Sequence, residues 1–243
     1  MRTLVKNGRH PYYGGMFVLS LGGSIVAPDS IDTGFISQFR ELIFSYLESR
    51  PSERMILVIG GGAPARSYQQ ACRTLDRNAT EDALDWIGIM ATRLNAELVR
   101  HALSPRCVDP VVIDPEGPIA FTGQILAAAG WKPGFSTDFD AVYLAERFGA
   151  DTVVNLSNVD RVYSADPKID PDAKPLTRIR WADFQKIVGH TWKAGTNVPF
   201  DPIATKKSAD IGLRVIAAGG RDLKNLSAIL NGRSFSGTTI GPD

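Results

Sequence analysis

The sequence predicts an α/β fold built on a central, mostly parallel sheet, and three observations carry that prediction. Short apolar, β-rich runs at residues 17–21 and 55–59 each end directly in glycine: Gly22-Gly23 after the first, Gly60-Gly61-Gly62 after the second. Runs that are apolar throughout, or broken only by Ser20, suit strands covered on both faces, as in parallel sheets sandwiched by helices. Between them, Ile36, Phe39, Leu42, Ile43, Phe44 and Leu47 recur at helical spacing, so residues 32–49 form a crossover helix that closes before Pro51. Strand, glycine turn, helix, strand, glycine turn is the order expected of parallel βαβ units.

The later elements follow the same logic. Two helical stretches come after the second glycine run. The stronger spans 81–102, with Thr80 as N-cap and Glu81 and Asp82 at its positive end. Its periodicity assigns Leu84, Ile87, Ala91, Leu94 and Leu98 to the core. The adjoining stripe Asp85, Gly88, Thr92 and Asn95 is then free to face a site. Residues 111–113 and 124–129 read as strands, and the loop from Gly130 to Phe135 follows. A helix starting at Thr137 or Asp138 buries Ala141, Leu144, Ala145 and Phe148 and stops at Gly149. Residues 152–156 form the next buried strand, with Ser157-Asn158-Val159-Asp160 as its loop. Asp166-Pro167 and Asp170-Pro171 mark irregular chain or a hairpin. Helices near 181–188, after Asp201-Pro202 and near 222–230, with strands at 213–217 and 238–240, complete the chain.

Composition narrows the classes. The chain has 243 residues, 44% of them hydrophobic, enough for one large domain to bury a core without disulfide or metal staples. Lys and Arg total 27 against 26 Asp and Glu, which gives no support for a nucleic-acid surface. Cys72 and Cys107 form no C-x-x-C, and His10, His101 and His190 lie far apart, so a structural zinc site is not expected. No apolar run approaches the roughly 18 to 20 residues of a membrane span. Arg2, Lys6 and Arg9 before the run 16–27 resemble a signal peptide. Gly22-Gly23 interrupts that run, however, and no small-residue cleavage pattern follows, so the expectation is a cytoplasmic protein. Residues 1–15 read as an extension, and residues 16–243 as one domain with halves of about 16–150 and 151–243.

In a parallel sheet the loops after the strands open onto one edge, where ligands bind. Four loops qualify: Gly22-Gly23-Ser24, Gly60–Gly62, Gly130–Phe135 and Ser157–Asp160. Glycine lets backbone N–H groups approach an anion, and a helix N-terminus adds about half a positive charge, so the two glycine turns suit two phosphate chains. A tight turn needing positive φ is the competing reading of any single glycine. Arg66, four residues past Gly62, adds a planar bidentate phosphate partner. No Gly-Lys pair, no G-x-G-x-x-G and no protein kinase signature set is present, which excludes a Walker A loop and weighs against a Rossmann dehydrogenase.

The motifs Leu21-Gly22-Gly23-Ser24, Gly60-Gly61-Gly62-Ala63-Pro64-Ala65-Arg66 and D-x-x-G-x-x-A-T-x-x-N from Asp85 to Asn95 resemble the archaeal-type uridylate (UMP) kinases of the amino-acid kinase superfamily. Pro133-Gly134-Phe135-Ser136-Thr137-Asp138, the run from Asn158 to Pro167, Lys193-Ala194-Gly195-Thr196, Asp201-Pro202 and Gly237-Thr238-Thr239-Ile240 continue the series in order. The resemblance implies a three-layer αβα sandwich of the amino-acid kinase fold, transfer of phosphate from ATP to UMP, Mg2+ on the ATP phosphates, and a homohexamer built as a trimer of dimers.

It also implies roles. Gly22, Gly23, Ser24, Gly62, Arg66, Ser157, Asn158, Tyr163 and Asp166 would bind ATP. Gly61, Asp85 and the segment Gly130, Trp131, Lys132, Pro133, Gly134, Phe135, Ser136, Thr137 and Asp138 would hold UMP. Arg66, Lys193 and Asp201 would act at the transferred phosphoryl group. Alternatives stay open for several: Asp85 as a surface carboxylate, Tyr163 as a core aromatic, Asp138 as a helix N-cap, and Lys193, Lys206 and Lys207 as solvated charges. Many relatives carry lysine where this chain has Ser20, so positive charge would have to come from Arg66, Mg2+ and Lys193. Rival readings on the same fold are a molybdenum-storage-like binding protein and a kinase with another acceptor. The few histidines and the P-G-x-S-T-D run argue against the first, and Ala63–Arg66 without histidine argues against isopentenyl phosphate as acceptor.

Overall fold

A computed structural model describes residues 16–165, 169–189 and 199–242. Its first half runs β1 (Met16–Leu21), α1 (Gly23–Val26), α2 (Thr33–Glu48), β2 (Arg54–Ile59), α3 (Gly62–Leu75), α4 (Glu81–Ala102), β3 (Ile125–Ala128) and α5 (Thr137–Phe148). The second half adds β4 (Thr152–Ser157), β5 (Val162–Tyr163), β6 (Pro175–Leu176), β7 (Arg178–Arg180), α6 (Trp181–Val188), α7 (Pro202–Ile211), β8 (Arg214–Gly219), α8 (Leu223–Leu230) and β9 (Thr238–Gly241).

Among the described residues these strands make a seven-stranded sheet in the order β3-β2-β1-β4-β8-β9-β7. The five strands from β3 to β8 are mutually parallel, and β9 pairs antiparallel with β8. Strand alternation splits the core between the two faces. Leu19, Leu21, Leu57 and Ile59 pack with Phe39, Ile43 and Leu47 of α2, Val99 of α4 and Leu226 of α8. Val18, Ile56, Val58 and Val153 pack with Ala141, Val142 and Leu144 of α5, Phe184 of α6 and Ala204 of α7. The result is the expected αβα sandwich, and both layers bury their apolar stripes against one sheet.

Several local expectations change. Residues 111–113 form no strand: Val112 makes one isolated parallel bridge to Ala128. Pro110 lacks the N–H that a longer ladder needs. Of the two readings of the chain after Asp160, irregular or hairpin, the hairpin holds: β5 pairs antiparallel with β6. On α4 the expected core stripe holds at Leu84 and Ala91, which are buried, and fails at Leu94 (72% exposed) and Leu98 (40% exposed); Ile89, Thr92, Asn95, Ala96 and Val99 are buried beside them. Thr92 and Asn95 turn inward because backbone groups of the glycine turns give them hydrogen-bond partners, which settles the helix rotation more firmly than the apolar count.

Candidate active site

The loops after β1, β2, β3 and β4 meet at the carboxyl edge of the sheet. Gly22 accepts the sharp exit from β1 (φ −54°, ψ 139°) and donates its N–H to Leu156 O at 2.9 Å. Gly60 N bonds Leu21 O at 3.0 Å, and Ala63 N bonds Ala27 O at 2.9 Å, so the two glycine turns lie backbone to backbone. A Cβ on Gly23 would fall 1.9 Å from Gly62 N, and one on Gly60 would fall 2.4 Å from Gly23 N. Glycine is required at these positions by contact, and at Gly62 also by a φ of 66°.

Helix α3 starts at Gly62 with no side-chain cap; its Ala63 N–H goes to Ala27 O and Pro64 carries none, so the start of the helix is closed by backbone contact with the chain after α1. Asn95 of α4 steadies this turn from behind, its Nδ2 donating to Gly60 O at 2.9 Å and Gly61 O at 3.0 Å. Arg66 stands one turn into α3, exposed, and its guanidinium donates to Pro28 O at 3.0 Å. A cation therefore bridges the segments that follow the two glycine turns.

The loop 129–136 is fastened mainly by α4. Gly130 N donates to Thr92 Oγ1 at 2.8 Å, and Gly134 N to Asp85 Oδ2 at 2.9 Å. The Arg93 guanidinium donates to Trp131 O at 3.0 Å and Gly130 O at 3.4 Å. Trp131 stacks on Phe135 with centroids 5.3 Å apart, and Lys132 Nζ lies 3.5 Å from the centre of the Trp131 ring. Asp85 is thus no idle surface carboxylate. Thr92 and Asn95, on the stripe expected to face a site, do reach the site loops, and Arg93 beside them is the residue for which the sequence carried no signal.

At the start of α5 the N-cap is Ser136, whose hydroxyl accepts from Phe139 N at 3.2 Å, so Asp138 is not the cap. Asp138 instead faces inward: Oδ1 accepts from the Ser20 hydroxyl at 3.0 Å and Oδ2 from Asp201 N at 3.3 Å. Burial and the neighbouring Asp201 carboxylate push its pKa up to about 6. Asp201 caps α7, accepting from Ala204 N at 2.7 Å, while its Oδ2 is buried without a hydrogen-bond partner. Burial raises its pKa as well.

On the far side of β1, Ser24 Oγ donates to Asn158 Oδ1 at 2.5 Å, and Ser157 Oγ accepts from Val159 N at 3.1 Å. Tyr163 belongs to neither core cluster, and its hydroxyl lies 3.5 Å from Asp160 Oδ1. Lys206 is a solvated charge paired with Asp210, whereas Lys207 pairs with Glu146 of α5. Asp166 and Lys193 lie outside the described residues. Among the described residues no group of three His, Cys, Asp or Glu is placed to hold a metal ion, and no helix is long and apolar enough to cross a membrane.

A parallel sheet whose first two strands end in abutting glycine turns, with a clamped loop beside them, defines the class. The chain belongs to the amino acid kinase family, which its sequence matches over residues 15–216. It is 38% identical over 226 residues to a uridylate kinase from Methanospirillum hungatei, covering 92% of this chain and 93% of that protein. A uridylate kinase from Pyrococcus abyssi is 35% identical over 230 residues, 93% of this chain and 99% of its own length. Among solved structures, uridylate kinase from Archaeoglobus fulgidus superposes with a TM-score of 0.78 at 34% identity, covering 93% of this chain and 99% of that one.

Proposed function

We propose that this protein is a UMP kinase, transferring the γ-phosphoryl group of ATP to UMP to give UDP and ADP. The observation that carries the reading is the abutting pair of glycine turns, with Arg66 across them, beside a loop that Asp85, Thr92 and Arg93 fasten to α4. Two glycine turns in backbone contact suit donor and acceptor phosphates held close enough for direct transfer. Homology to uridylate kinases supplies the acceptor.

In this reading Gly22, Gly23 and Ser24 receive the ATP phosphates, Ser157, Asn158 and Tyr163 line the rest of the ATP pocket, and Asp166 is a further ATP-binding residue by family likeness. Gly61 and Gly62 face the transferred group, Arg66 neutralises its charge, and residues 130–138 surround uridine. A UMP phosphate oxygen attacks the γ-phosphorus as the bond to the β,γ-bridging oxygen breaks. The protein supplies orientation and charge compensation and no covalent nucleophile. Mg2+ would enter as part of the ATP substrate, keeping most of its waters. Lys193 and Asp201 act at the phosphoryl side, Asp201 by fixing the start of α7 against Asp138. Residues 16–150 form the acceptor side and 151–243 the ATP side of a cytoplasmic enzyme of pyrimidine nucleotide synthesis.

The same reading extends to assembly. On α4, Trp86, Met90, Leu94 and Leu98 are all at least 40% exposed and recur every fourth residue, and Tyr68 and Leu75 on the neighbouring α3 are 69% and 89% exposed. Such a stripe on an otherwise ordinary surface calls for a partner, and we assign it to a second copy within a hexamer. Light scattering should report six times the 26.4 kDa chain, and Leu94→Glu should reduce that mass. A monomeric parent protein would overturn the assignment. The acceptor is tested with a panel: transfer from ATP should be faster to UMP than to CMP, AMP or GMP.

A further inference from the structure

Asp138 and Asp140 stand two residues apart in the first turn of α5, about 200° around the helix from one another, so they serve different neighbours. Asp138 faces Ser20 and Asp201. Asp140 faces the loop 129–136: it is 1% exposed, and its Oδ2 accepts from Trp131 N at 3.2 Å. Its Oδ1 is buried with no hydrogen-bond partner. A buried carboxylate ordinarily has a cation or several donors beside it. Here the surrounding charges are committed elsewhere. Arg93 of α4 spends its guanidinium on the carbonyls of Gly130 and Trp131. Lys132 lies over the Trp131 ring, and Lys207 of α7 is paired with Glu146. The remaining charged neighbours, Asp138 and Asp201, are negative.

We propose that Asp140 is a positioning residue for the acceptor, holding the Trp131 amide and with it the loop 129–136 as an uncharged carboxylic acid. Burial first, and then the nearby carboxylates, push its pKa up to about 8, so the neutral acid persists through neutral pH. A carboxyl pKa raised on folding contributes order that is complete below the ordinary carboxyl range and is lost as pH rises through about 8. Ionised, Oδ2 would accept the amide more strongly. The charge would nevertheless be dry, beside Asp138 and Asp201, and water reaches it only by displacing the Trp131 segment. Arg93 and Thr92 pull on the same two residues from α4, so Asp140 supplies the opposing hold from α5.

This inference rests on the reading of the loop as the UMP-binding loop, and the test has one arm that needs no substrate. Amide hydrogen exchange of the ligand-free protein over residues 129–136 is compared with Asp140→Asn at the same pH, which cancels the intrinsic pH dependence. The wild type should exchange faster than Asp140→Asn at pH 9, and the gap should close as pH falls toward the ordinary carboxyl range. In steady state with ATP saturating, the KM for UMP of the wild type should rise about threefold or more from about pH 6.5 to 8.5, a range in which UMP's uracil ring keeps its proton, with the KM for ATP moving far less. In Asp140→Asn that alkaline rise should be missing. Asp140→Ala, which leaves the Trp131 amide without its acceptor, should carry a raised UMP KM across the whole range. Equal exchange of wild type and Asn variant at pH 9, or the same alkaline rise in both, overturns the proposal. Failure of the wild type to phosphorylate UMP would strike the functional reading alone, since the exchange arm still judges Asp140.

Discussion

Gly23→Ala is expected to lower kcat by about a thousandfold or more, because displacing reacting groups by about 1 Å already costs roughly a hundredfold. The added Cβ would fall 1.9 Å from Gly62 N, 2.6 Å from Gly62 Cα and 2.7 Å from Gly61 C. All three are backbone atoms with no rotamer to yield, so the two glycine turns must separate. The contact is reciprocal: a Cβ on Gly62 would meet Gly23 O at 2.4 Å and Ala27 O at 2.5 Å. Under the proposed function this contact line is where donor and acceptor phosphates meet, so the loss should appear in kcat as well as in substrate binding. Gly149→Ala is the matched control. Its φ of 73° strains an alanine, but a Cβ there has nothing within 4 Å. That variant should lose about 1 kcal/mol of stability and keep its activity. Circular dichroism and kcat of both purified variants check the pair; a fully active Gly23→Ala would show that the turns can part without consequence.

Arg66→Ala carries the second large effect. The side chain is exposed, lies one turn past Gly62 and already reaches across to Pro28 O. Removing it takes away a charge-assisted contact worth about 1.5–3 kcal/mol, which corresponds to a loss of roughly ten- to a hundredfold or more in kcat/KM. Ser20 sharpens the expectation, since it brings a hydroxyl to Asp138 and no positive charge. Arg66→Lys should recover only part of the loss, because an ammonium cannot pair with a phosphate bidentately. Unchanged kcat/KM for UMP in the alanine variant would reduce Arg66 to a strut between α3 and the chain after α1.

What the sequence made legible is what backbone chemistry makes obligatory. Apolar runs ending in glycine located β1 and β2 with their turns, because a strand buried on both faces is mostly apolar, with a polar residue such as Ser20 kept where it has a hydrogen-bond partner, and an abrupt exit beside another backbone needs glycine. Distance between those turns is not written in either one, so their contact emerges only from the parallel register that pairs Leu21 with Ile59. The second half of helix α4 departs from its expected core stripe for the opposite reason. Leu94 and Leu98 are more apolar than Thr92 and Asn95, so periodicity turned them inward. The hydrogen bonds of Thr92 and Asn95 to Gly130, Gly60 and Gly61 decide the rotation. Asp140 carried no signal at all: an acidic residue in the first turn of a helix is ordinary there, and only the fold reveals that it is sealed from water.

The central claim, that the abutting glycine turns serve direct phosphoryl transfer onto UMP, is tested most directly by following both nucleotides in one reaction. Protein, ATP, Mg2+ and an equimolar mixture of UMP, CMP, AMP and GMP are combined, and products are resolved by phosphorus NMR. The account predicts UDP and ADP appearing in equal amounts, with UDP the dominant new diphosphate besides ADP, and no transfer once Mg2+ is chelated. A mixture in which UMP is untouched while another acceptor is phosphorylated, or in which ATP is merely hydrolysed, would contradict it.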